Sequence, residues 1–247
     1  MKSFKVAVVG IVTTLTLVNP GLILAQTAAV QPLPVASSTS TLSPAAKFPV
    51  LKSRAVKEIN RRIGTLNALS TRLSTIAPPR LSADNKKILQ DLVSADNTAM
   101  QALLVKVNAD TTLDTLRVDV ASITKDYRVY ALVVPKIQLV IASDTLLTAS
   151  DKMTDISSKL QARIAEAKTA GKDTTSLDAL LLDMQKKVAD AKVQGQSIQT
   201  KVMPLVPGDD AGNKIALQSA VNMLKTGRQD LEGAKKDGQQ ILTALKK

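Results

Sequence analysis

The sequence holds no cysteine, no histidine and no tryptophan, with two phenylalanines and two tyrosines among its 247 residues. Each gap excludes a kind of chemistry. Without histidine there is no Ser-His-Asp or Cys-His arrangement, and the commonest metal ligand goes with it. Without cysteine there is no disulfide, no thiolate nucleophile and no lipid-modified cysteine behind a leader. With Phe48, Tyr127 and Tyr130 as the aromatic residues beyond the first few, base-stacking platforms are not available and specific nucleic-acid binding is not expected. Acidic residues are in deficit too. Against 33 Lys+Arg stand 21 Asp+Glu, a formal charge of +12.

The chain begins M-K-S-F-K, runs from Val6 to Val18 without a charge, breaks at Asn19-Pro20-Gly21 and continues L-I-L-A-Q. A basic start, a short apolar run, a helix breaker and a small residue are the parts of a secretory signal peptide. Cleavage after Ala25 fits best, and Ala28 and Ala29 stay open because Ile23 occupies the −3 position. An uncleaved anchor is the other reading, for which the apolar run is short. We therefore expect residues 1–25 to be removed and the product to be exported, whether secreted, periplasmic or on the cell surface. Lys2 and Lys5 leave with the leader, so the mature excess is +10. Such an excess favours anionic envelope polymers or lipid head groups as partners. Residues 26–45, rich in Pro, Ser, Thr and Ala and free of charge, read as a disordered tether.

Beyond the tether the apolar residues fall into helical seams. Val56, Ile59, Ile63, Leu66, Leu69, Leu73 and Ile76 stand 3 and 4 apart, predicting a helix from about Ala46 to Ala77 that Pro78-Pro79 ends. Ser82 is the expected N-cap of a second helix through Ile88, Leu92, Ala99, Leu103 and Val107. A third begins at Thr111 or Thr112 and carries Leu113, Leu116, Val120, Ile123, Tyr127, Tyr130, Val134, Ile137 and Ile141, with a phase slip afterwards. Its middle is the least charged part of the chain. Arg128 and Asp144 bracket fifteen residues in which Lys136 is the only charge, so this stretch wants burial on all sides. A membrane span needs about 20 apolar residues, so none is expected in the mature chain. Pro135 denies a donor to the Ala131 carbonyl, predicting a kink or a helix restart there.

Gly171 closes this helix, and Thr175 with Asp178 opens the next. That helix carries Leu177, Leu181, Met184, Val188, Ala191, Gly195, Ile198 and Val202. After Pro204 and P-G-D-D, a last helix places Leu217, Leu224, Leu231, Gly238 and Leu245 seven apart. Its companion row, Ala220, Gly227, Ala234 and Ile241, is mostly small, which lets a partner backbone come close. Leu160–Lys168 echoes Met184–Lys192 at four of nine positions, a likeness that heptad patterns also produce by chance.

Sequence motifs for chemistry are incomplete. Gly195-Gln196-Ser197 lacks the second glycine of a nucleophile elbow, Gly171-Lys172 lacks the rest of a phosphate loop, and Asp209-Asp210 lacks calcium-loop spacing. We expect no enzyme activity, no catalytic residue, no cofactor and no metal site. Two groups stand out for other reasons. Arg54, Lys57 and Arg61 share one side of the first helix and form a candidate anionic-surface contact, or else a solvated face. Tyr127, Tyr130 and Pro135 mark a candidate structural centre, with the tyrosine hydroxyls reaching polar groups at the bundle edge.

The stretches I-N-R-R-I-G-T-L-N, S-I-T-K-D-Y-R-V-Y-A-L-V-V-P-K-I and T-A-G-K-D-T-T-S-L resemble those of a group of uncharacterised exported, coiled-coil-rich helical proteins of bacteria, notably of small-genome lineages. The resemblance covers most of the mature chain. It implies an exported helical protein, and it brings no activity and no functional residue with it.

The expected fold is all-α and elongated: two antiparallel three-helix bundles, residues 46–143 and 144–247, sharing a long kinked central helix. At ~1.5 Å per residue each would be roughly 40 to 50 Å long. A single compact bundle is the rival topology. The expected role is structural, a spacer at the cell envelope. The alternative is a binding module for anionic envelope polymers or a helical protein partner. The seams leave self-association open.

Overall fold

A computed structural model of the chain describes residues 43–246. The expected leader, and all but the last three residues of the expected tether, lie outside the described residues. Six helices and one π turn follow in order: α1 (Pro44–Thr75), α2 (Ala83–Ala109), α3 (Leu113–Lys125), the π turn (Val129–Val133), α4 (Val134–Thr169), α5 (Thr175–Val202) and α6 (Asp210–Ala244). No strand occurs among the described residues, and the protein is all-α.

Local chemistry sets the helix ends. Ser43, Ser82, Thr112 and Asp209 each stand at an N-cap and accept from a backbone N–H three residues on, at 3.3, 3.3, 3.3 and 2.9 Å. Such a cap satisfies one of the N–H groups that the first turn leaves unpaired. With Ser43 capping and Pro44 at the first helical position, α1 starts two residues before the expected Ala46. Gly171, at φ +81°, turns the chain out of α4. Two C-termini are closed by lysines from neighbouring helices. Lys52 donates to the Asn108 and Asp110 carbonyls at the end of α2, at 2.8 and 2.9 Å. Lys86 donates to those of Ser74 and Ile76 at the end of α1, at 2.9 and 3.0 Å. The positive charges also suit the negative ends of the helix dipoles.

Packing divides the helices into two sets. α1 packs on α2 and α3, while α4, α5 and α6 pack on one another, most extensively α5 on α6. Every seam residue expected for α5 is buried. Close approach is visible at two glycines. A Cβ on Gly195 would lie 2.8 Å from a methyl of Leu147, and one on Gly227 would lie 2.7 Å from a methyl of Leu146. Small positions on α5 and α6 therefore let each helix sit unusually near α4.

The structure corrects the sequence reading in two places. In α2 the core row is Leu89, Val93, Met100, Leu103 and Val107, and Ile88 is 48% exposed. Asp96 completes the 4-and-3 alternation of that row, and an acidic member disguised the register. The second correction concerns the central helix, which is not one kinked rod. α3 ends at Lys125, Arg128 adopts a left-handed conformation at φ 38°, and the π turn leads into α4. Pro135 sits in the first turn of α4, where its missing N–H costs little, so of the two outcomes expected at this proline the structure shows the restart, preceded by a break at Arg128 that was not expected. The break changes the phase: Val129, Leu132 and Val133 enter the core, and Tyr127 and Tyr130 are only half-buried.

Leu139 to Asp144 are all buried, six consecutive residues that no single helix face could hide. The segment from Leu113 to Thr169 is long and apolar enough to cross a membrane by length and composition. In its most apolar stretch 61% of the residues are buried, so packing among helices accounts for that apolar character.

Candidate functional site

The two helix sets meet through side chains around the start of α4, and this joint gathers the chain's unusual polar groups. Asp144 is its best-satisfied member. One carboxylate oxygen accepts from the Ser82 backbone N–H at 2.7 Å, at the N-terminus of α2. The other accepts from Asn85 Nδ2 at 2.9 Å and from Gln199 Nε2 at 2.6 Å. A carboxylate is thus held between α2 and α5 while sitting on α4, and the α2 dipole favours its charge. Thr145 and Thr148 add bonds from α4 to the carbonyls of Arg80 and Pro79, at 3.4 and 2.7 Å.

Tyr130 forms a second contact between the sets. Its hydroxyl lies 3.0 Å from Thr65 Oγ1 on α1. The guanidinium groups of Arg61 and Arg62 stand 4.7 and 5.1 Å from its ring centre. Cations over an aromatic face are attracted to its electron density. Glu58 ties both arginines, reaching Arg61 at 2.7 Å and pairing with Arg62. Burial pushes the Glu58 carboxyl up, but the hydrogen bonds and charges of the two arginines together outweigh it and hold the group below its ordinary value. A third contact pairs Arg128, at the left-handed residue, with Asp210 at the start of α6.

The fourth group is incompletely satisfied. Asp96 lies on the apolar row of α2, and its Oδ2 is shut off from solvent without a hydrogen-bond partner. Burial raises its pKa to about 6, while Lys136 pulls the other way. Lys136 itself is buried, and burial lowers its pKa against the pull of Asp96. Its ammonium donates to the Leu205 carbonyl, in the loop between α5 and α6, at 3.1 Å. Tyr127 has its phenol raised chiefly by burial, then by the charges of Asp126, Asp119 and Asp96.

The predicted residues therefore separate. Tyr127, Tyr130 and Pro135 all fall at the joint. Arg54 and Lys57 are exposed on α1 and take part in no ion pair among the described residues. Arg61 does not belong with them, because its head group is spent on Glu58 and Tyr130. Asp144 and Asp96 were missed. Asp144 had looked like the edge of an apolar run, and its partners lie 55 to 62 residues away along the chain. Asp96 had a detectable signal, the acidic gap at the heptad position of α2.

Asp209 caps α6 and Asp210 pairs with Arg128, which gives both loop aspartates structural work. Among the described residues no group of three or more Asp and Glu is placed to hold a metal ion. An open groove of about 790 Å³ follows α5 and α6, lined by Gln194, Lys214, Gln218 and Asn222 with Ile215 and Met223. No family model, curated protein or solved structure matches the chain.

Proposed function

We propose that this chain is a non-enzymatic, exported helical protein with a structural or spacer role at the cell envelope. The observation that carries this reading is the joint. Two polar contacts between residues far apart in sequence, Asp144 with Ser82 and Tyr130 with Thr65, tie the two sets of long helices together near the start of α4. α4 alone, at 36 residues, extends over roughly 54 Å. Long helices suit holding things apart. The leader-like first residues and the uncharged tether support placing them outside the cytoplasm. The resemblance to exported coiled-coil-rich bacterial proteins points the same way.

A second reading has its own observation. Arg54 and Lys57 remain unneutralised on α1, close to the tether. Exposed charges of one sign attract anionic polymers or lipid head groups, and salt screens the attraction beyond about 8 Å at physiological ionic strength. One experiment addresses both. The protein is followed in cell fractions, its N-terminus is read by mass spectrometry, and isolated envelopes carrying it are washed with increasing salt. The expected result is an N-terminus at Gln26 or within a few residues and recovery in the envelope fraction. If Arg54 and Lys57 mediate the contact, Arg54→Glu with Lys57→Glu lowers the salt needed for release. Intact Met1 on cytoplasmic protein would overturn the export reading. Equal salt resistance of the variant would leave the spacer reading without the surface contact.

A further inference from the structure

We propose that the first turns of α1 dock on an anionic lipid bilayer, with Lys47, Arg54 and Lys57 on the head groups and Val50 among the outer acyl chains. The inference rests on the second reading above and names which anionic partner that face takes. Charge sets α1 apart from the other helices. It carries seven Lys and Arg against Glu58 as its one acid, whereas in no other helix do cations outnumber acids by more than one. Three of the seven are spent inside the protein, Arg61 and Arg62 on Glu58 and Tyr130, and Lys52 on the carbonyls that end α2. Lys47, Arg54 and Lys57 are exposed and take part in no ion pair among the described residues.

These three share a stripe with an apolar residue. At about 3.6 residues per turn, positions 47, 50, 54 and 57 fall within about 80° of one another and cover about 15 Å of helix. Ala55, Ile59 and Leu66 face the core from the far side. Val50 lies between Lys47 and Arg54 on the stripe and is 44% exposed, with Pro49 exposed beside it. A polyanion without apolar parts offers Val50 nothing. A bilayer offers phosphate groups to the cations and, just beneath them, acyl chains to the valine. The long stems of lysine and arginine keep their charges at the head groups while a residue between them goes deeper. Other exposed apolar residues have the wrong setting for such a surface. Val118 has Asp114 one turn away on its own helix, and Leu182 has Asp178. Either carboxylate is repelled by anionic head groups.

The test uses the chain from Gln26, which keeps every described residue and lacks the apolar leader. Its cosedimentation with vesicles of phosphatidylglycerol and phosphatidylcholine is compared with that on phosphatidylcholine alone, and with its binding to soluble polyphosphate. The expected result is binding to the anionic vesicles and not to the neutral ones. Changing Lys47, Arg54 or Lys57 to Gln should weaken it about fivefold for each charge removed. Val50→Ser should weaken vesicle binding and leave polyphosphate binding unchanged. Because the chain has no tryptophan, Val50→Trp provides a unique reporter on the stripe. Its emission should shift to the blue on anionic vesicles and be quenched by brominated acyl chains. Thr71→Trp, exposed near the other end of α1, should do neither. The inference is overturned if the unsubstituted chain does not sediment with anionic vesicles. Polyphosphate binding that Arg54→Glu with Lys57→Glu abolishes would then show that the charge contact survives without lipid. It is overturned too if vesicle binding ignores Val50, with no blue shift and equal affinity for Val50→Ser, which leaves a contact by charge alone.

Discussion

At the scale of single residues, the structure depends most on Asp144. Its two oxygens satisfy a backbone N–H on α2 and two side-chain amides on α2 and α5. Removing the carboxylate strands all three donors in a buried place, which costs more than any one of the bonds contributes. Asp144→Ala should therefore destabilise the protein by about 2 to 4 kcal/mol in urea unfolding. Asp144→Asn should cost less, because an amide oxygen still accepts. Thr145→Val provides a contrast, since that hydroxyl also bonds within its own helix and its loss should be small. None of this could be read from local sequence. An aspartate closing an apolar run has the same appearance whether it faces water or two other helices. Tyr130 was legible as a structural residue because aromatic residues are so few here. What the sequence pattern concealed was that Arg61, on the polar side of α1, is drawn onto its ring.

At the scale of elements, legibility followed the regularity of the seam. α5 alternates 4 and 3 without interruption, and every one of its expected core positions is buried. α2 has an acidic residue on its row, so periodicity in apolar residues alone chose the neighbouring stripe with Ile88. In the α3–α4 region the restart at Pro135 was legible and the break before it was not. Proline is a visible breaker, but the left-handed residue is Arg128, a residue type with no preference for that conformation. Tertiary contact, including the pair with Asp210, holds it there. Glycine offers a test of which helix surfaces are packed. Gly64 on α1 has nothing within 4 Å of a would-be Cβ, so Gly64→Ala should stabilise by up to ~1 kcal/mol through helix propensity. Gly227 is confronted by Leu146, Gln194 and the Ala191 carbonyl. Gly227→Val should destabilise by about 1 to 3 kcal/mol despite a smaller propensity gain, because the added bulk pushes α4 and α5 away from α6. Thermal unfolding of the two variants side by side gives opposite signs if the packing is as described.

At the scale of the whole molecule, the positive excess is only partly free to act outward. Lys52 and Lys86 are used on helix ends, Lys136 is buried, and Arg61, Arg62 and Arg128 are engaged at the joint. Composition indicated an affinity for anions, whereas of the three residues expected on α1 the structure leaves Arg54 and Lys57 exposed and outside any ion pair among the described residues. What remains is a body of long helices whose two sets are fastened by polar contacts between distant residues, and the spacer reading requires that fastening to be stiff. Because the chain has no cysteine, spin labels can be placed uniquely at two exposed positions, Thr71 on α1 and Lys159 on α4. The distance distribution between them, measured by pulsed electron resonance on the mature protein at neutral pH, tests the stiffness directly. The account predicts one narrow distance that is unchanged when the protein is held in isolated envelopes, and that broadens in Asp144→Ala. A broad or two-peaked distribution in the unsubstituted chain would contradict it.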